Sequence, residues 1–430
     1  MTADNQKSIE NFQRIIRAKT ISEKDGNVDR SVFDAFFPML KEMYPAAFGA
    51  VESQLINEYG ILLCWKGKKS DLQPVVLMGH YDVVSDEGQE WEHPAFEAEI
   101  HDGYVWGRGS IDNKCVFTGI LEAMDRLAKE GFKPERDIYF LASNCEEVAG
   151  KTADMAAQWF KENGIRPWFV LDEGGAIMKD IPMGITTPFA MVGVCEKGWA
   201  TVKIKTSKPK ASEKLVDALA KLEKSPMPAQ ITPTLEAMLG CFGEYVDAPL
   251  NVVLKNLSLF KPVVKKFLQS NDQTSGMVRS GYTITSIDAV GENGKIPETA
   301  TATIKLRIAP HDSFEAMLSN IKSVLGDTVE YEYDNVMNPP AVSDHNTQSF
   351  SYIKSVINKV FPNVGVSPFI LDAYTDSRSF KHICKEIYRF GAFSLDNKQF
   401  ASVHGANEKL SVEDFLKSID FYEELIRGIN

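Results

Sequence analysis

Val75-Val76-Leu77-Met78-Gly79-His80-Tyr81-Asp82 is an apolar run that stops abruptly at His-x-Asp. Two further runs stop in the same way. Ile138-Tyr139-Phe140-Leu141-Ala142-Ser143-Asn144-Cys145 ends in Glu146-Glu147, and Trp168-Phe169-Val170-Leu171 ends in Asp172-Glu173. Short continuous apolar runs are the pattern of strands buried on both faces of a mostly parallel sheet. Ligands of such sheets bind beyond the carboxyl ends of the strands. Three strands thus deliver imidazole and carboxylate groups to one edge, which points to a metal site and to a hydrolase.

Working outward, the chain has 430 residues, long enough for two domains. Apolar content of 44% and charged content of 25% are ordinary for a globular protein. No apolar stretch reaches the length that spans a bilayer. Met1-Thr2-Ala3-Asp4-Asn5-Gln6-Lys7 has no basic region followed by an apolar one, so a cytoplasmic location is expected. The net charge of −12 argues against nucleic acid and anionic membrane as partners. Six cysteines stand without CxxC spacing, which excludes the common structural-zinc patterns and a disulfide framework. Cys115 and Cys145 neighbour the acidic clusters, but a packing role is the commoner one for such residues.

Helical spacing marks Ile9 to Arg17, Ser31 to Tyr44 and Cys115 to Lys129. Strands alternate with helices from about 50 to 180, the signature of an α/β unit. The pattern changes near Gly198. Thr201 to Lys205 alternates as a half-exposed strand does, Ser212 to Lys224 and 235–269 read as helical, and Tyr282 to Ala289 and Ala300 to Ile308 read as strands. These features predict an α/β catalytic domain with a mixed, mostly parallel sheet flanked by helices, interrupted by a smaller α+β lid. The expected boundaries are 1–198, an inserted lid over 199–338 ending within 312–338, and 339–430.

His80, Asp82, Asp112, Glu146, Glu147, Asp172 and His404 form the chemical constellation. Zinc accepts imidazole and carboxylate ligands, and a catalytic site leaves one position open to water. Two zinc ions balance a bridging Asp112, Glu147 and Asp172 on one metal each, and a shared hydroxide; His80 and His404 complete one shell each. Asp112 precedes a helix and could instead cap it. Asp82 is placed to accept the second imidazole N–H of His80 and so fix its tautomer. In the Glu146-Glu147 pair, Glu147 is assigned to the metal and Glu146 to proton transfer as general base. Glu173 is an alternative to Asp172. Taken singly, each piece has an ordinary surface or packing explanation; the combination carries the reading. Carboxylates and imidazoles also suit cobalt or manganese.

Gly79-His80-Tyr81-Asp82-Val83-Val84, Gly107-Arg108-Gly109-Ser110-Ile111-Asp112-Asn113-Lys114, Glu146-Glu147-Val148-Ala149-Gly150, Leu171-Asp172-Glu173-Gly174-Gly175, Thr375-Asp376-Ser377-Arg378 and His404-Gly405-Ala406-Asn407-Glu408 resemble, in order, the motifs of one family. It is the family of di-zinc metallopeptidases that includes aminoacylase, carboxypeptidase G, carnosine-type dipeptidases and acetylornithine deacetylase. The resemblance implies a catalytic domain and an inserted lid that often forms a homodimer. It implies His80 and Asp172 on one zinc, Glu147 and His404 on the other, Asp112 as bridge and Glu146 as base. Arg378 matches an arginine near the substrate carboxylate, and Arg307 matches a second family position, with a structural ion pair as its alternative.

The departures fall in the lid. The family follows its Glu-Lys-Gly stretch (here Glu196-Lys197-Gly198) with a strand and a Gly-His-x-Ser motif whose histidine steadies the oxyanion. Here Thr206-Ser207-Lys208-Pro209-Lys210-Ala211-Ser212 stands instead, and Gly294-Lys295 replaces the family's asparagine before Ile296-Pro297. An oxyanion donor is worth about 10²–10³ in rate; Lys208 or Lys210 is a candidate substitute. The expected function is metal-dependent hydrolysis of an amide bond in a dipeptide, short peptide or N-acyl amino acid. The alternative is a family-shaped protein that binds metal or ligand with weak or no peptidase activity.

Overall fold

The computed structural model describes residues 2–23, 26–291, 295, 297–326 and 329–429. Gly294 and Ile296, where the lid motif departs from the family, lie outside the described residues. The chain divides into two compact units, one of Met1–Val194, Ser343–Ser367 and Thr375–Asn430, the other of Cys195–Val342 and Pro368–Tyr374.

The first unit carries most of a mixed ten-stranded sheet. Its strands are β1 (Glu52–Ile56), β2 (Gly60–Trp65), β3 (Val75–His80), β6 (Ile138–Ser143), β7 (Phe169–Asp172), β8 (Ile177–Met178), β9 (Phe189–Glu196), β14 (Gly365–Leu371), β15 (Ile387–Arg389) and β16 (Ser394–Leu395). The order is β1-β2-β6-β3-β7-β15-β9-β8-β16, with β14 paired to β9. At its centre β6, β3, β7 and β15 run parallel, with Val75 level with both Ile138 and Phe169. The three apolar runs are therefore neighbours in one register, and their carboxyl ends lie at one edge.

Every residue of β3, β6 and β7 is buried, because the sheet is covered on both faces. Val75, Leu77, Ile138, Phe140, Phe169 and Leu171 enter a core with the helices Lys114–Lys129 and Val412–Gly428. The alternate residues Val76, Met78, Tyr139, Leu141 and Val170 pack with Ala153, Ala156 and Phe160 of the helix Thr152–Glu162 and with Phe380. Two-sided burial removes the polar alternation of a half-exposed strand, which is why the runs read as continuous. A small sheet of β4 (Ile100–His101), β5 (Tyr104–Trp106) and β17 (Lys409–Ser411) brings the 107–112 loop beside residues 404–408.

The second unit carries an antiparallel sheet ordered β11-β12-β10-β13 (Gly281–Asp288, Thr299–Ile308, Gly198–Ser207, Glu330–Met337). One face is apolar, with Val202, Ile204, Ala302 and Ile304 packed with Leu215, Leu219, Met317 and Ile321 of the helices Ala211–Glu223 and Phe314–Leu325. The helical stretch 235–269 is divided into three helices, Pro233–Phe242, Leu250–Lys255 and Leu257–Gln269. Pro368–Tyr374 joins this unit although its sequence position suggests the catalytic domain. Lys197 draws it in, pairing with Asp372 at 2.8 Å and donating its amide to the Leu371 carbonyl at 2.9 Å. Among the described residues no helix is long and apolar enough to cross a membrane.

Candidate active site

His80 closes β3, Glu146 and Glu147 follow β6, and Asp172 closes β7. Asp112 lies one residue before Asn113, the N-cap position of the helix Lys114–Lys129, so the capping role is not its own. Its two carboxylate oxygens face different histidines: Oδ1 lies 3.0 Å from His80 Nε2 and Oδ2 lies 3.0 Å from His404 Nε2. His404 Nε2 is also 2.9 Å from Glu147 Oε2. His80, Asp112 and Glu147 each offer a ligand atom, all within 4.8 Å of one another. Residues 324 positions apart in sequence thus converge on one carboxylate.

Asp82 faces the second imidazole nitrogen of His80 and has further partners. His80 Nδ1 lies 3.0 Å from the Asp82 carbonyl oxygen and 3.4 Å from its Oδ1, so the backbone is the nearer partner. The Asp82 carboxylate also accepts the Glu146 amide at 3.1 Å, the Glu147 amide at 3.2 Å and the Ser22 hydroxyl at 2.6 Å. A fully buried carboxylate needs such donors. It fixes the backbone of the acidic pair.

Three residues without a stated role in the sequence reading prove central to the scaffold. Glu408, fully buried, accepts the amides of Gly109, Ile111 and Asp112 at 3.0, 2.7 and 3.0 Å and pairs with Arg108 at 2.8 Å. The Ser377 amide donates to Asp172 Oδ2 at 2.8 Å, and the Glu173 amide to Oδ1 at 2.9 Å. Glu408 and Ser377 stand inside quoted motifs, so their positions were visible although their partners were not. Asp376, buried beside them, has a carboxyl pushed up to about 7 by burial.

Electrostatics set this edge apart. Burial pushes the carboxyls of Glu146, Glu173 and Asp172 upward, with Glu173 further opposed by the charges of Asp112 and Asp172. Glu147 is pushed up to about 7 by burial and by Asp112, against the hydrogen bond from His404. Burial opposes ionisation of Asp112 too, yet hydrogen bonds from His404 and His80 hold it below the usual range. The same bonds, with Asp112 first and Glu147 second, push His404 up to about 10. Glu147 Oε1 is buried and accepts no hydrogen bond among the described residues. Such a surplus of enclosed carboxylates over imidazoles is unfavourable without added positive charge.

Arg378 is buried in the 3-10 helix Asp376–His382 of the first unit. Arg307 belongs to the second unit, half-exposed, 3.8 Å from Asp372 and stacked over Trp199 at 6.0 Å. There Lys208 pairs with Glu298 and Lys210 with Glu213, each at 3.0 Å and exposed. Cys115 is fully buried, and burial pushes the thiols of Cys115 and Cys145 upward, away from the nucleophilic thiolate.

The model of peptidase family M20/M25/M40 matches residues 76–428. "Probable carboxypeptidase S-like 2" of Dictyostelium discoideum is 32% identical, the match covering 98% of this chain and 85% of that protein. "N-fatty-acyl-amino acid synthase/hydrolase PM20D1" of Xenopus tropicalis is 30% identical, covering 99% and 86%. Among solved structures, the M20 family metallo-carboxypeptidase Sso-CP2 of Sulfolobus solfataricus superposes with a TM-score of 0.69 at 16% identity, over 99% of each chain.

Proposed function

The chain belongs to peptidase family M20/M25/M40, a peptidase/amidohydrolase enzyme, and from that premise we propose that it hydrolyses the amide bond of N-acyl amino acids or short peptides with a free carboxylate, using two divalent metal ions. The observation that carries this reading is Asp112, whose two oxygens each face a different histidine at 3.0 Å. Asp112 would bridge, with His80 on one ion and Glu147 and His404 on the other. Unpartnered Glu147 Oε1 and the carboxylates repelling one another fit this demand for cations. Asp172 would supply the remaining carboxylate, with Glu173 as the alternative; each Asp172 oxygen accepts one main-chain amide and keeps a second lone pair for an ion. Zinc suits this imidazole and carboxylate set, and cobalt and manganese are compatible.

Bound there, the ions would lower the pKa of a water toward 7 and polarise the scissile carbonyl. Glu146 takes the proton from the attacking water and passes it to the departing nitrogen, and burial already raises its affinity for a proton. Asp82 keeps Glu146 in place through its amide. Arg378 offers a fork for the substrate carboxylate. Both relatives' names speak for substrates of this kind, a carboxypeptidase acting at a terminal carboxylate and a hydrolase acting on an N-acyl amino acid. A cytoplasmic location stands as part of the proposal. Homodimerisation through the second unit stays part of the proposal.

Glu146→Gln tests the assignment. Turnover of N-acyl amino acids and dipeptides should fall about 10²–10⁴-fold with metal content by elemental analysis unchanged. A normal rate overturns the mechanism. No turnover by the unsubstituted protein on a panel of both substrate types, with zinc, cobalt or manganese, favours the binding-only alternative.

A further inference from the structure

Away from that site, His93, Glu99 and His101 of the first unit converge on one point. His93 Nδ1 lies 3.3 Å and His101 Nε2 2.8 Å from the same oxygen, Glu99 Oε2. Both imidazoles turn a nitrogen to that oxygen; they stack at 3.7 Å between centroids with 13° between planes, and because a nitrogen's lone pair lies in its ring plane, an ion shared by both requires one ring to swing out of the stack. Zinc bonds of about 2.0–2.1 Å in a tetrahedron put neighbouring ligand atoms about 3.3 Å apart. The spacing seen here is close to that, and all three ligand atoms lie within 4.8 Å of one another.

The donors are held by backbone rather than by chance side-chain contact. His101 pairs with Tyr104 across the β4–β5 hairpin, whose turn uses positive φ at Asp102 (51°) and Gly103 (80°). Glu99, two residues before His101 in extended chain, shares its face. The Trp106 amide donates to the Glu99 carbonyl at 2.9 Å, and the Trp106 ring stands edge-on to His93 at 4.6 Å. The segment before His93 is fastened to the His404 segment: the Glu92 amide donates to Asn407 Oδ1 at 2.8 Å, and Gln89 Nε2 to the His404 carbonyl at 2.9 Å.

We propose that His93, Glu99 and His101 form a separate surface site for one transition-metal ion of the Zn2+, Ni2+ or Cu2+ type, with a fourth position open to water. An ion there ties the 93–101 segment to one geometry and, through Glu92 and Gln89, steadies the backbone that carries His404. This site needs none of the central ligands.

The test is metal content after dialysis against Zn2+, and calorimetric titration of the metal-free protein with Zn2+. His93→Ala/His101→Ala should bind one equivalent fewer than the unsubstituted protein. His80→Ala/Glu147→Gln, which addresses the central site, should keep that equivalent, so the two readings fail separately. Cu2+ should quench Trp106 fluorescence, with the quenching lost in both His93→Ala/His101→Ala and Trp106→Phe. Equal stoichiometry and equal Kd in the unsubstituted protein and His93→Ala/His101→Ala, or quenching that persists in that variant, overturns the proposal.

Discussion

Two groups of histidines and carboxylates in the first unit differ chiefly in their surroundings. Around His80, Asp112 and Glu147 the ligand atoms are enclosed, and burial raises most of the carboxyls. Around His93, Glu99 and His101 the side chains are 26–44% exposed, and hydrogen bonds from the histidines lower the Glu99 carboxyl. Similar ligand types therefore carry different energetic weight. Enclosed negative charge demands a cation, whereas water already screens the exposed cluster. A metal at the first should be part of the working protein; a metal at the second should add to an already stable surface.

The contrast can be broken experimentally. Its largest effect is the loss of turnover expected for Glu146→Gln. Next, Glu408→Ala removes a buried acceptor of three amides and leaves Arg108 without its carboxylate, and should destabilise by about 3–5 kcal/mol in denaturant unfolding. Survival of full stability would mean that the 107–112 loop is held by other contacts. Adding Zn2+ to metal-free protein at about 100 times its Kd should stabilise by roughly 2.7 kcal/mol per central site. Glu147→Gln should reduce that rise in Tm, and an unchanged rise would place the ions elsewhere. Arg378→Lys should lower kcat/KM about tenfold, mainly through KM, because a point charge replaces a fork. Smallest of all, Glu99→Gln should leave the Tm of metal-free protein unmoved, and a large drop would show that the surface cluster is structural.

Much of this was legible beforehand for a physical reason. Strands covered on both faces must be apolar throughout, so the abrupt change at His80, Glu146 and Asp172 marks both the strand end and the candidate site. The second unit was harder to read. Its helices over 233–269 are short and interrupted, at Pro249 and Asn256, and apolar periodicity alone does not reveal such breaks. The placement of 368–374 was also hidden, since it depends on Lys197, which is remote in sequence.

What the chain determined by itself was the set of candidate ligands and the parallel centre that aligns them, because both follow from local composition and strand periodicity. Only the tertiary structure decided how those residues divide their work. Asp82 accepts the amides of Glu146 and Glu147 as well as facing the imidazole of His80, Asp172 accepts the amides of Glu173 and Ser377, and Glu408 shapes a loop about 300 residues away. Those roles depend on which buried amides lack partners after folding. Backbone groups are the same at every residue, so no side-chain pattern announces them.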